Sequence, residues 1–456
     1  MNHFLKQHLY VVYSVILLMY IANTFIGSEP IHYVIGILAI PMLLISFLGA
    51  SKLFRILGSI FITVGTGMYI YSGLPLYQVP LYFTSTMPLL AFLTVLPWMN
   101  SIVRAGRFDR RINELMKANV SDLGKLYVRS SFTTYTLCSF INLSALSISQ
   151  EVLLENMAKM KKKIKDSFIS QTTLRAFAVA LCWSPMEIMV AMTVDATGVS
   201  YLAYLPWLIL CSFIVLMVDW LWGSRRFKSV PYEAAVYHPE RTIEPGIIAW
   251  KITKLVIALT AFLLIVVTLG NAYNLNFILS VTLVILPFSF CWALVMNRMR
   301  SFLAIGWGTW KFRTNHMQNF VVLFLSLAFF SSSLNETPFL GMIQQPFLAA
   351  SETPLVILLL IQGTYLLMSM IGVHPVATIG ILAEVMQPLY SVINPMSVGM
   401  VLITGALATA TVGAYGITVT MTSMNTMQNP YRITLRNMPF AILYGGVGTL
   451  IGYLLL

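Results

Sequence analysis

Leu181-Cys182-Trp183-Ser184-Pro185-Met186-Glu187 lies in the middle of an apolar segment, residues 168–194, that is long enough to span a bilayer. Proline has no N–H and its ring clashes with the preceding turn, so an unbroken helix is not expected through Pro185. Glu187 follows two residues later. A carboxylate near the bilayer centre costs roughly 2.5–3.5 kcal/mol on insertion scales, and such residues face a cavity or a partner. Backbone groups freed at a break are tolerated in lipid only where protein or a water-filled cavity satisfies them. Transporters build substrate and ion sites from such breaks. The plainer reading of the same residues is a Pro-kinked helix whose Glu187 is paired inside the bundle.

The composition around this stretch sets the class. The chain has 456 residues, 58% hydrophobic and 10% charged, with mean hydropathy +0.81. That predicts an all-α polytopic membrane protein and excludes a soluble enzyme with a single anchor. The net charge of +12 raises nucleic acid as a partner, but the basic residues fall in short loops between apolar runs. Orientation in the membrane explains them, and no nucleic acid is expected. Cys138, Cys182, Cys211 and Cys291 all lie in apolar segments without metal-site spacing, so neither a disulfide framework nor a metal site is expected. The run 9–26 has no small-residue cleavage site after it and reads as a retained first span.

Upstream of the break, spans are expected at 9–26, 31–50, 54–71 and 81–99. Lys6, Lys52 and Arg55 mark the cytoplasmic side, and Arg104, Arg107, Arg110 and Arg111 follow the fourth span. Ile102, Val103, Phe108, Ile112 and Leu115 recur at near-helical spacing among charges, which predicts an interfacial helix over 102–123. The next apolar run, 131–157, has Arg129 before it and Lys159, Lys161, Lys162, Lys163 and Lys165 after it. One span cannot have two cytoplasmic ends, but a re-entrant hairpin can. Arms of about 12 residues reach roughly 18 Å, a little over half the hydrocarbon thickness. Its tip falls at Phe140-Ile141-Asn142-Leu143-Ser144. A single span beside a misplaced charge cluster is the other reading. After the break, 201–222 returns the chain to Arg225, Arg226 and Lys228.

Downstream, spans are expected at 247–269, 275–296 and 320–334, with Arg298, Arg300, Lys311 and Arg313 in a cytoplasmic connection. Phe339, Leu340, Met342, Ile343, Phe347 and Leu348 predict a short interfacial helix on the other face. The run 355–389 has the polar centre Gly372-Val373-His374-Pro375 and reads as a second hairpin, entered from outside. The run 398–426 is interrupted from Thr409 to Gly416, and 439–456 closes the chain. The two halves then match as inverted-topology repeats of about 11 transmembrane helices and two re-entrant hairpins. The expected organisation is an extra N-terminal span at 1–30, a first repeat at 31–228, a cytoplasmic link at 229–246 and a second repeat at 247–456. The N-terminus is expected in the cytoplasm and the C-terminus outside, in the cytoplasmic membrane. All 28 Lys and Arg then lie on the cytoplasmic side, or, for Arg175, in the first turns of a helix starting there.

Eleven spans, two opposed hairpins and two broken helices resemble the ion transporter superfamily of divalent anion/sodium symporters, citrate and dicarboxylate carriers, arsenite pump subunits and aminobenzoyl-glutamate exporters. The resemblance is architectural. The Ser-Asn-Thr tip motif of the divalent-anion symporters is absent; the first tip here reads Asn142-Leu143-Ser144. The resemblance implies a homodimer with a scaffold part and a moving transport part.

The polar breaks are expected to converge. Asn142, Ser144, Ser184, His374, Thr409 and Thr411 are the candidate substrate-binding residues, with Glu187 and His374 as candidate coupling groups. Helix N-termini favour anions and free carbonyls favour cations. His374 titrates near physiological pH when unperturbed, or it simply stabilises its hairpin tip. Glu187 binds a cation or proton, or pairs with a partner. Glu384 is a weaker candidate, and Glu151 and Glu155 fall near the cytoplasmic rim. No His-Glu-x-x-His, Gly-x-Gly-Asp or paired intramembrane aspartates are present, so an enzyme is not expected. An intramembrane enzyme or lipid-handling protein using the same polar cavity is the alternative. A non-transporting scaffold leaves the polar breaks without a purpose. The expected function is a secondary transporter of a small, anionic solute. Its partners are that solute, the bilayer and a second copy, with no cofactor beyond a coupling H+ or Na+.

Overall fold

The structure, a computed structural model, describes residues 3–106, 116, 120–232, 245–350 and 352–456. The described residues form helices and no strand; one isolated bridge joins Asp122 and Pro231. The expected interfacial helix at 102–123 and the link at 229–246 fall largely outside the described residues. Nine helices among them are long and apolar enough to cross a membrane, and the chain is a multi-pass membrane protein. Two of the eleven expected spans are not in that set. One is a broken helix whose halves, Pro395–Thr409 and Ile417–Thr426, have 15 and 10 residues. The other is the last helix, Pro430–Leu454, which carries Arg432 and Arg436.

The chain divides into two compact units. The first comprises Met1–Ile102, Ile265–Ala350 and Gly380–Leu389; the second comprises Val103–Leu264, Ser351–Ile379 and Tyr390–Leu456. Each draws on both halves of the sequence, so the units and the expected repeats cut the chain differently.

In the first unit Glu29–Gly49, Lys52–Tyr71 and Gln318–Asn335 pack together. At one end the Ser51 N–H donates to Asn319 Oδ1 at 2.8 Å; at the other Ser72 Oγ donates to the Glu336 carbonyl at 3.0 Å. Phe83 stacks on Phe329 with centroids 4.9 Å apart. The expected helix over 339–348 is present as Phe339–Ala349. Met299–Asn315, expected as a connection, is a helix. Its buried stripe, Phe302, Gly306 and Thr314, is masked in the sequence by Arg300, Lys311 and Arg313. A Cβ at Gly306 would stand 2.5 Å from the Trp98 ring, so only glycine allows that approach. Asn315 fixes the C-terminal end by accepting from the Tyr10 N–H at 2.8 Å and donating to the Gln7 carbonyl at 3.0 Å.

The second unit holds the polar breaks. Leu123–Ile141 and Leu143–Asn156 turn back on each other at Asn142. Asp122 caps the first arm by accepting from the Lys125 N–H at 2.9 Å, which holds its carboxyl below the usual range. Pro354–Met370 and Pro375–Met386, the expected arms of the second hairpin, are joined through 371–374, and from Gly380 the latter helix belongs to the first unit. Lys162–Ala180 and Ile188–Thr197 are the halves of the first broken helix. The closing helix starts at Pro430, ahead of the expected 439, because Asn429 caps it and Pro430 occupies its first turn.

Arg175 corrects one expectation. Its helix begins at Lys162, so Arg175 lies roughly 20 Å along it, well past the first turns. It is buried, and its Nη1 donates to Asp219 Oδ1 at 2.9 Å. Arg175 Nε donates to Asn437 Oδ1 at 2.9 Å, and Tyr127 Oη donates to Asp219 Oδ2 at 2.9 Å. The guanidinium also stacks over Phe440, 5.1 Å from its centroid. One ion pair therefore ties Leu123–Ile141, Lys162–Ala180, Tyr201–Phe227 and Pro430–Leu454 together. Breaking such a pair from one side strands a buried charge and costs about 3–5 kcal/mol, while replacing both partners costs far less. Arg175→Met and Asp219→Leu should each lower the thermal midpoint in detergent strongly, and the double variant should recover much of the loss. Additive losses in the double variant would show that the pair does not act as a unit.

Candidate functional site

The first hairpin tip and the first helix break meet. Asn142 has φ 46°, a backbone that L side chains rarely adopt and that asparagine tolerates better than most. Its N–H closes the first arm on the Cys138 carbonyl at 3.0 Å, and its carbonyl accepts from the Ala145 N–H at 2.9 Å to start the second. Its Nδ2 then donates to Glu187 Oε2 at 3.2 Å. Ser144 follows in the first turn of the second arm.

The break itself is held from several sides. After Ala180 the chain tightens into a 3-10 turn, Leu181–Trp183, and Ser184 is extended. The Ser184 carbonyl accepts from the Glu187 N–H at 3.1 Å. Tyr201 Oη donates to the Trp183 carbonyl at 2.5 Å, and Trp183 Nε1 donates to Tyr135 Oη at 2.7 Å. Pro185 is non-helical, as expected. Glu187 precedes Ile188–Thr197, and both Ser184 and Glu187 are buried. The side-chain partner of this carboxylate at the tip is a neutral amide, in contrast to Asp219 with its arginine.

The second break, 410–416, is non-helical around Gly413, also as expected. Its freed carbonyls are met by threonines. Thr409 Oγ1 donates to the Ala406 carbonyl at 2.6 Å and Thr411 Oγ1 to that of Ala408 at 2.9 Å. Thr418 Oγ1 meets the Ala410 carbonyl at 2.5 Å and Thr434 Oγ1 that of Val412 at 2.8 Å. Thr409 and Thr411 are therefore buried with their protons committed; what they have left to offer is oxygen lone pairs.

Residues 371–374, the expected second tip, lie against the second break. Gly372 has φ 91°, and a Cβ there would stand 3.1 Å from Tyr415 Cδ2. His374 is half-buried and starts Pro375–Met386: its Nδ1 accepts from the Val376 N–H at 3.3 Å, and its carbonyl accepts from the Ala377 N–H at 2.9 Å. A ring accepting at Nδ1 carries its proton on Nε2 in the neutral form. The structure thus joins Asn142 to Glu187 beside Ser184, and places His374 at the tip that packs on Tyr415.

One group went unread in the sequence. Gln150 Nε2 donates to Thr422 Oγ1 at 2.7 Å and to Thr173 Oγ1 at 3.1 Å, and Gln150 Oε1 accepts from Asn425 Nδ2 at 2.9 Å. This neutral knot ties the second arm of the first hairpin to a half of each broken helix. Its only sequence signal is polar residues at i, i+4 spacing in apolar runs, such as Thr418, Thr422 and Thr426.

Asn142 does two jobs, backbone and side chain, that substitutions separate. Asn142→Gly keeps the positive φ and loses the amide; Asn142→Ala loses both. Alanine should be less stable than glycine by about 1–3 kcal/mol, the usual cost of a strained backbone position. Equal thermal midpoints for the two variants would show that the turn carries no strain.

No protein-family profile matches the sequence, and no characterised relative matches it by sequence. Among solved structures 17 chains match. One is the YdaH transporter of Alcanivorax borkumensis, described as having an unusual topology. It aligns with TM-score 0.60 at 16% identity, over 88% of this chain and 98% of that one. Another is MtrF of Neisseria gonorrhoeae, described within a class of antimetabolite efflux pumps. It aligns with TM-score 0.58 at 12% identity, over 87% of this chain and 94% of that one. At these identities the likeness establishes the fold: this chain is a helical, multi-pass membrane protein built like these two transporters.

Proposed function

We propose that this protein is a secondary active transporter that moves a small, anionic organic or inorganic solute across the cytoplasmic membrane, with proton or sodium coupling. The observation that carries the reading is the contact of Asn142, at a hairpin tip, with Glu187, at a helix break. Glu187 is buried with a neutral amide at its carboxylate, so its charge is open to exchange with a proton or a cation. Four helices start at the tips and breaks: Leu143–Asn156, Ile188–Thr197, Pro375–Met386 and Ile417–Thr426. Helix N-termini favour negative charge, and no Lys or Arg lies in the tip and break segments 140–144, 181–187, 371–374 and 410–416. An anion held by dipoles and hydroxyls alone is released more readily than one held by a fixed cation. The fold shared with two transporters supports the same reading.

The finer architecture belongs to the proposal. It has eleven spans in two inverted repeats, re-entrant hairpins entered from opposite faces, a cytoplasmic N-terminus, an outside C-terminus and a homodimer of the ion transporter superfamily type. Asn142, Ser144, Ser184, His374, Thr409 and Thr411 contact the solute, and Glu187 with His374 couples protons. Single cysteines near Arg129 and Lys161 should label from one face, and those near Thr353 and Asn394 from the other. Labelling of the two ends of either hairpin from different faces would end the inverted-repeat reading.

The transport test begins with a thermal-shift screen of carboxylates, amino-acid conjugates, oxyanions and nucleosides. With a ligand in hand, proteoliposomes should accumulate it under a pH gradient. Glu187→Gln and His374→Asn should lose that accumulation and retain exchange. Accumulation that follows a sodium gradient and survives both substitutions would refute proton coupling through these residues.

A further inference from the structure

The first unit is polarised by charge. Its carboxylates are Glu29, Glu336 and Glu384. Glu336 follows Gln318–Asn335 at the end where Ser72 bonds its carbonyl, and Glu384 accepts from Ser331 Oγ at 2.8 Å and Asn335 Nδ2 at 3.1 Å near that end. Glu29 opens Glu29–Gly49, whose other terminus lies against Gln318. The carboxylates therefore gather at one end of the unit. The opposite end, where Ser51 meets Asn319 and Tyr10 meets Asn315, carries Lys52, Arg55, Arg298, Arg300, Lys311 and Arg313, all exposed. The sequence from 245 to 335 contains no Asp or Glu at all. These cations have no carboxylate of their own unit to neutralise them.

Met299–Asn315 arranges part of this charge around an apolar surface. Its buried side is the stripe Phe302, Gly306 and Thr314. Its outer side exposes Arg300, Leu303, Ala304, Trp307 and Lys311, which share one face at i, i+3, i+4, i+7 and i+11. Trp307 is 55% exposed, yet it is steadied by Trp310 at a centroid distance of 5.1 Å. Lys311 Nζ lies 5.1 Å over the Tyr10 ring. An exposed tryptophan between two cations, on a helix free of carboxylates, has the chemistry of a membrane–water interface: the indole sits at headgroup level and the cations meet phosphates.

We propose that the outer face of Met299–Asn315 is a binding site for anionic phospholipid headgroups. Arg300 and Lys311 are roughly 16 Å apart along the helix, so each meets a different headgroup, and Trp307 sits between them at headgroup level. The occupant is lipid because the face pairs uncompensated positive charge with an apolar, aromatic centre; a free phosphate ion has no use for Trp307 or Leu303.

The full-length protein in detergent, offered an equimolar mixture of dioleoylphosphatidylglycerol and dioleoylphosphatidylcholine, should retain the anionic lipid about tenfold more by native mass spectrometry. Arg300→Gln/Lys311→Gln should bring the two lipids to near parity. Arg300→Lys/Lys311→Arg should keep the preference, which separates lost charge from lost fold. Trp307→Ala should lower retention of both lipids together. For the wild-type protein the preference should shrink as salt rises. Equal retention of the two lipids by the wild type, or an unchanged preference in Arg300→Gln/Lys311→Gln, overturns the proposal. So does a disulfide between copies through Trp307→Cys in a cysteine-free background in liposomes, since the face would then be covered by a second copy.

Discussion

Every backbone polar group inside a bilayer must find a partner within the protein, and the second unit is arranged around that requirement. A helix that stops halfway exposes carbonyls that nothing in its own ladder can reach. At the second break the carbonyls of Ala406, Ala408, Ala410 and Val412 each receive a threonine hydroxyl, from Thr409, Thr411, Thr418 and Thr434. At the first break Tyr201 takes the Trp183 carbonyl, and Ser184 and Glu187 close a turn. These are built interruptions. A kink from proline alone would not recruit side chains from the neighbouring helix, as Thr434 and Tyr201 are recruited here.

Satisfying the backbone leaves a clear division among the buried charges. Arg175 and Asp219 neutralise each other with further bonds to Asn437 and Tyr127, so that network has no charge to give away. The carboxylate of Glu187 faces the amide of Asn142 at the tip, and an amide donor favours the anion without fixing it. Gln150 binds Thr173, Thr422 and Asn425 through neutral bonds only. Such bonds can be exchanged for others without stranding a charge, which is what a hairpin that separates from broken helices would require. The charged and the neutral ties of the unit are thus distinguished by their chemistry.

Much of this was readable in the chain because the signals were local. Pro185 and Gly413 marked both breaks by their stereochemistry, and the polar centres at 140–144 and 372–375 marked the expected tips. The misses were of another kind. Met299–Asn315 hides its buried stripe among cations, because a helix that shares its apolar side between protein and exterior does not show the usual clean alternation. The closing helix starts ahead of the apolar run at 439 because Asn429 and Pro430 set its start, and its first turns carry Arg432 and Arg436, which read as a cytoplasmic connection. Arg175 reads as a residue of its helix's first turns because its partner, Asp219, is 44 positions away and only folding brings the two together. The threonines of the second break were legible as polar residues, but not as donors already committed to carbonyls.

The two hairpin tips are alike in position and unlike in chemistry. Each packs on the break of the broken helix that follows it: Asn142 on Glu187, Gly372 beside Tyr415. The first contact is a hydrogen bond to an acid, and the second is van der Waals contact with an aromatic ring. Both tips need positive φ, but only the asparagine brings a side chain to the meeting point. On the proposed reading, a change of charge at Glu187 is felt directly by the first tip through one bond. The second tip feels only the shape of its break. His374, held at its own turn by Val376, adds a ring there without a bond to the acid being needed for the turn to form. On that reading the acid of the coupling pair, Glu187, lies in the first half of the chain, and the second half contributes His374, hydroxyl oxygens, helix termini and fit.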